Sequence, residues 1–132
     1  MRKRSDGTSK LVDFIIKVIQ DKKGENIIKF NLKKIENAFC DYFVICHGDS
    51  SRQVNAIASF IEEEVKKHTG VNAWHKEGYE NAKWILLDYI DIVVHVFLKE
   101  TREYYNLEGL WADADPEYLS GQEGLLKQTK LK

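Results

Sequence analysis

Between Asp41 and His47 the chain reads Tyr-Phe-Val-Ile-Cys without a polar interruption. A nearly continuous, β-favouring run of this kind suits a central strand covered on both faces. Other strands group around it. Ile28, Phe30 and Leu32 alternate with Lys29 and Asn31, the period of a half-buried strand within Glu25–Leu32. Lys83–Asp88 and Asp91–Phe97 predict two more, separated by Tyr89-Ile90, short enough for a hairpin although the loop lacks the glycine such turns favour. Val71–His75 fits a short strand, and Glu77–Ala82 a polar loop.

Helical spacing frames these runs. Leu11, Phe14, Ile15, Val18 and Ile19 share one face, with Thr8 or Ser9 as cap and Lys22-Lys23-Gly24 as the stop, the glycine taking a left-handed conformation. After His47-Gly-Asp-Ser-Ser51, Ser50 or Ser51 can cap a second helix whose core face is Val54, Ile57, Ala58, Ile61 and Val65 and whose stop is Gly70. Glu62-Glu63-Glu64 followed by Lys66-Lys67 reads as its solvated surface. Tyr105, Leu107, Leu110 and Trp111 anchor a short last helix, and Asp113-Ala-Asp-Pro116 breaks the pattern. The expected fold is α/β (α+β): a mixed sheet of about five strands flanked by helices. It forms one domain over residues 1–132, with a core at about 11–111 and loose ends at 1–8 and 119–132.

Composition limits the function. With 132 residues, 43% hydrophobic and 31% charged, the chain can bury a core without metal or disulfide. A net charge of -1 gives no global attraction to nucleic acid or anionic lipid. Cys40 and Cys46 match neither a disulfide framework nor a zinc set and read as buried thiols in a reducing compartment. The basic start leads straight into an amphipathic helix, so no export signal is expected, and no apolar run approaches the roughly 20 residues of a membrane span. The absence of an Arg/Ser-rich transit segment favours a bacterial cytoplasm.

Four segments follow one another in a recognisable order: Asp41-Tyr-Phe-Val-Ile-Cys-His-Gly-Asp-Ser-Ser-Arg-Gln-Val54, Glu77-Gly-Tyr-Glu-Asn-Ala-Lys-Trp84, Ile85-Leu-Leu-Asp-Tyr-Ile-Asp-Ile-Val-Val-His-Val-Phe97 and Thr101-Arg-Glu-Tyr-Tyr-Asn-Leu-Glu-Gly-Leu-Trp111. From about Leu11 to Trp111 the chain closely resembles the ribosomal silencing factor, or Iojap, family. The resemblance implies a fold like a nucleotidyltransferase core without its catalytic apparatus. It also implies a binding module that seats on ribosomal protein L14 at the intersubunit face of the large subunit, blocking the small subunit when nutrients are scarce; organellar relatives are linked to large-subunit assembly. Two positions depart from the family pattern: its usual glycine is Ile90 here, and its usual Thr or Ser is His47. A β-branched residue resists positive φ, so the hairpin turn should use another geometry or be longer.

Trp84, Leu86 and Asp88 share one strand face, and Ile85, Leu87 and Tyr89 the other. Tryptophans usually pack in cores, but the matching family position lies at the ribosomal-protein contact, so the resemblance makes Trp84 the anchor. Glu77, Glu80, Asp88 and Asp91 supply acids that would orient a basic partner, and Tyr79 and Tyr89 are further contact candidates. The expected partner-binding set is therefore Trp84, Asp88, Tyr89, Glu77, Tyr79, Leu86 and Asp91. RNA contact, through Lys22-Lys23 and Lys33-Lys34, is at most secondary. An uncovered strand edge could also pair two copies as a homodimer.

No cofactor or metal is expected. His95 sits mid-strand as a hydrogen-bonded structural residue, and His47, His68 and His75 lack metal-ligand spacing. Nucleotidyl transfer is the enzyme alternative, because His47-Gly-Asp-Ser-Ser51 links a strand to a helix where amides could hold phosphate. The carboxylate pair that would hold magnesium is missing: the sole Asp-x-Asp is Asp113-Ala-Asp115 in the tail. Helix capping explains the serines.

Overall fold

A computed structural model describes residues 2–119; of the end expected to be loose at 119–132, residues 120–132 lie outside them. In chain order it contains α1 (Arg2–Asp21), β1 (Glu25–Asn31), β2 (Tyr42–Gly48), α2 (Ser51–Thr69), β3 (His75–Glu77), β4 (Trp84–Asp88), β5 (Ile92–Leu98), α3 (Lys99–Tyr105), α4 (Leu107–Leu110) and β6 (Pro116–Tyr118). The strands form one six-stranded mixed sheet in the order β3-β4-β5-β2-β1-β6. β2 and β5 pair in parallel at its centre, and all other pairs are antiparallel.

Every residue of β2 is buried, as its apolar run requires. Alternate side chains feed two cores. Val44 and Cys46 of β2, Ile85 and Leu87 of β4, and Val94 and Val96 of β5 pack beneath α1 and α2. Phe43, Ile45, Val93 and Phe97 face the other way, onto Leu107, Trp111 and Tyr118. α2 buries the five residues read from its spacing, each large aliphatic contributing about 2 kcal/mol. Its ends follow the sequence: Ser50 Oγ accepts from Gln53 N, and Gly70 at φ 77° donates its N–H to Lys66 O.

Several expectations need correction. α1 runs back to Arg2, so Thr8 lies buried inside the helix instead of capping it. No proline interrupts that stretch, and a single helix glycine costs only about 1 kcal/mol. At its other end Lys23, not Gly24, takes the positive φ of 63°. Gly24 is required for another reason: a Cβ there would stand 2.4 Å from Ile19 Cγ2. The short edge strand is His75–Glu77 rather than Val71–His75. A sixth strand, β6, starts at Pro116, where a pattern break was expected. Pro116 opens that strand in an edge position, where a missing N–H is tolerated.

The hairpin between β4 and β5 turns through Tyr89, Ile90 and Asp91. Ile90 accepts a positive φ of 75° despite its branched Cβ. Asp91 N donates to Tyr89 O at 2.8 Å, closing a tight three-residue γ-turn around Ile90. Asp88 Oδ1 takes the Ile90 N–H at 2.7 Å, so a side chain of the strand helps hold the strained turn.

Candidate protein-docking face

The two sheet faces are covered unequally. α1 and α2 seal one, whereas the chain after α3 covers the other only over the β1, β2 and β5 side. Register shows where the cover ends. One row of side chains crosses the sheet as Glu77, Leu86, His95, Ile45, Ile28 and Tyr118, and a second as His75, Asp88, Val93, Phe43, Phe30 and Pro116. Residues on β1 and β2 are buried, Leu86 and Asp88 on β4 are half-buried, and His75 and Glu77 on β3 are exposed.

A groove of about 470 Å³ lies at this boundary, with Phe43, Trp84, Leu86 and Trp111 among its walls and Glu77 and Asp88 also lining it. Phe39 and Leu110 also line it, 59% and 76% exposed. Large apolar side chains so exposed beside acidic groups are the make-up of a protein contact with an apolar centre and a charged rim. Of the expected site residues, the fold brings Trp84, Leu86, Asp88 and Glu77 together here. Phe39 belongs with them although nothing in its polar connector singled it out.

Trp84 is held rather than free. Its indole ring lies 4.8 Å from Phe97 and 5.0 Å from Tyr105, centroid to centroid. Its Nε1–H donates to His95 Nδ1 at 2.9 Å. Because the indole can only donate, the neutral His95 ring carries its proton on Nε2. Burial pushes the pKa of His95 down to about 3, so the ring stays neutral. The indole is thereby preorganised, with a partly exposed surface at the groove.

The remaining candidates sit elsewhere. Tyr89 is buried beneath α2, and Tyr79 packs against the same core. The Tyr79 hydroxyl donates to Glu62 Oε2 at 2.5 Å, and Lys76 Nζ donates to Glu62 Oε1 at 3.2 Å. Glu62, expected on a solvated surface, in fact pins the back of β3 to α2. Asp91 is half-buried, and its backbone carbonyl accepts from Asp41 N and Tyr42 N, tying the hairpin to the start of β2. Exposed Glu77 places Oε2 2.6 Å from His75 Nε2.

The loop considered for phosphate is already occupied by its own chain. Asp49 N donates to Gln53 Oε1 at 2.8 Å, and Ser50 Oγ caps Gln53 N at 3.1 Å. The Gln53 side chain fills the space beside Gly48, where a Cβ would meet it at 3.0 Å. Among the described residues, one group could gather ligand atoms for a metal: Glu25, His47 and Asp49, within 4.8 Å of one another. The tautomer opposes ligation. Arg102 donates to His47 Nδ1 at 2.8 Å, which leaves the ring proton on Nε2, facing Glu25 Oε1 at 3.3 Å. Burial, with the Arg102 charge beside it, lowers the His47 pKa to about 4. The Cys40 and Cys46 thiols are pushed up to about 12, chiefly by burial, and stay protonated.

The proposed RNA contacts are partly engaged within the chain: Lys22 Nζ lies 4.4 Å from the Phe60 ring centre, and Lys33 Nζ 5.1 Å from that of Tyr42. No helix among the described residues is long and apolar enough to cross a membrane.

A family model described as "Ribosomal silencing factor during starvation" matches residues 5–131. The ribosomal silencing factor of Halalkalibacterium halodurans is 44% identical over 111 residues, covering 84% of this chain and 93% of that protein. Its Bacillus subtilis counterpart is 46% identical over 94 residues, covering 71% of this chain and 78% of that one. A crystal structure from Chromobacterium violaceum superposes with a TM-score of 0.74 at 34% identity, covering 86% of this chain and 92% of the other. A mouse protein named for mitochondrial assembly of the ribosomal large subunit is 30% identical over 103 residues, which is 76% of this chain and 44% of that protein.

Proposed function

The chain belongs to the ribosomal silencing factor family, and on that premise we propose that it binds the large ribosomal subunit through the open half of its sheet and sterically blocks the small subunit. The observation that carries this reading is the apolar groove around Trp84 and Leu86 that Glu77 and Asp88 also line. Ribosomal proteins are commonly basic, so the acids speed encounter and orient the partner while the apolar floor supplies most of the binding energy. Ribosomal protein L14 at the intersubunit face is the partner that the resemblance implies. A body of 15.4 kDa seated there repels the small subunit by volume alone and needs no catalytic group.

The protein then works as a binding module in the cytoplasm, with no cofactor. A homodimer would use a free sheet edge, with β3 the exposed three-residue candidate. The mouse relative's name favours a second reading, assembly of the large subunit. Sedimentation of purified subunits separates the two. Silencing requires co-migration with the large subunit and loss of joined ribosomes. Co-migration with full joining favours assembly, and absence from both subunits refutes the ribosomal reading.

A further inference from the structure

Trp84 also lines a second hollow, of about 550 Å³, between the loop after β3 and α3, together with Glu80, Lys83, Glu100, Tyr104 and Tyr105 among others. Its aromatic wall continues that of the groove: Tyr105 packs on Trp84, and Tyr104 meets Tyr105 edge to face at 5.0 Å and 89°. Tyr104 is 81% exposed and Tyr105 53%. Glu80 and Glu100 have no ion pair among the described residues and outnumber Lys83 on the rim.

Resting on the docking reading above, we infer that this hollow is a second contact surface for the same basic partner and takes an arginine side chain over the exposed ring of Tyr104, with Tyr105 beside it. A guanidinium lies flat on an aromatic face while its in-plane N–H groups donate to carboxylates, and the hollow offers both. An apolar side chain would cover Glu80 and Glu100 without pairing them, at a cost. A nucleobase could stack on the tyrosines, but its phosphates would approach the same two acids.

The test is equilibrium binding to purified large ribosomal subunits, with Tyr104→Ala and the double change Glu80→Gln, Glu100→Gln compared with Leu86→Ala in the groove. All three hollow positions are exposed, so the fold should hold, which a thermal melt checks. Tyr104→Ala should weaken binding roughly 3- to 30-fold. The double change should also weaken it and flatten its salt dependence. Unchanged binding by folded hollow variants, while Leu86→Ala is weakened, overturns the arginine contact and leaves the groove reading intact. Tighter binding by the double Gln variant overturns it in favour of RNA on the tyrosines. If Leu86→Ala binds normally as well, the docking reading falls and this inference with it.

Discussion

Two buried histidines should make the protein sensitive to mild acid. His47 is 3% exposed and His95 4%. Burial, aided at His47 by Arg102, lowers their pKa values from 6.5 to about 4 and about 3. The sign follows from proton counting: below pH 6.5 the unfolded chain binds protons that the folded chain refuses, so stability is full above 6.5 and drains as pH falls. His47 continues to destabilise until about pH 4, and His95 until about pH 3. At about pH 5.5, one unit below the unfolded value, each site costs on the order of 1–2 kcal/mol, and the pair roughly 3. That is a large share of the roughly 5–15 kcal/mol expected for a domain. Urea unfolding between pH 8 and 5.5 should therefore show the midpoint falling with an unchanged slope. His47→Thr, which removes one of the two sites, should roughly halve the loss over that interval. A midpoint independent of pH from 8 to 5.5, or an undiminished loss in His47→Thr, would refute the assignment.

At Ile90 the usual order of residue preference should invert. Alanine and glycine both remove the isoleucine side chain, but only glycine relieves the strain at φ 75°, so Ile90→Gly should be more stable than Ile90→Ala by about 1 kcal/mol in urea melts; equal stability would argue against a strained turn. Glu62→Ala should speed hydrogen exchange in β3, because Lys76 and Tyr79 lose their shared acceptor. The cost should be roughly 1–2 kcal/mol, with Glu62→Gln milder; protection equal to the unaltered protein in the alanine variant would show that Glu62 does not hold the strand.

Much of the fold was legible because its periodicities are long and clean. The apolar run at Tyr42–Cys46 and the spacing of Val54, Ile57, Ala58, Ile61 and Val65 each admit one placement. Strand parity also separated Trp84, Leu86 and Asp88 from Ile85, Leu87 and Tyr89. Parity alone does not say which set faces the long helices, and that is why Tyr89 entered the expected contact set although it packs beneath α2. β6 was hidden by Pro116, which reads locally as a breaker and is tolerated only because it joins at the sheet edge. Phe39 lies in a connector without period, and Glu62 looks like its neighbours Glu63 and Glu64 until β3 folds back to meet it. The site was thus readable where it lies on a regular strand and unreadable where separate segments converge.

The central claim, that the open half of the sheet faces the large subunit, is tested most directly by co-sedimentation of purified large subunits with two lysine variants. Leu86→Lys places a cation in the groove, whereas Glu63→Lys places one on the exposed side of α2. Loss of co-sedimentation by a folded Leu86→Lys, with Glu63→Lys binding as the unaltered protein does, is the predicted result. Retained binding by Leu86→Lys, or its loss only in Glu63→Lys, would contradict the account.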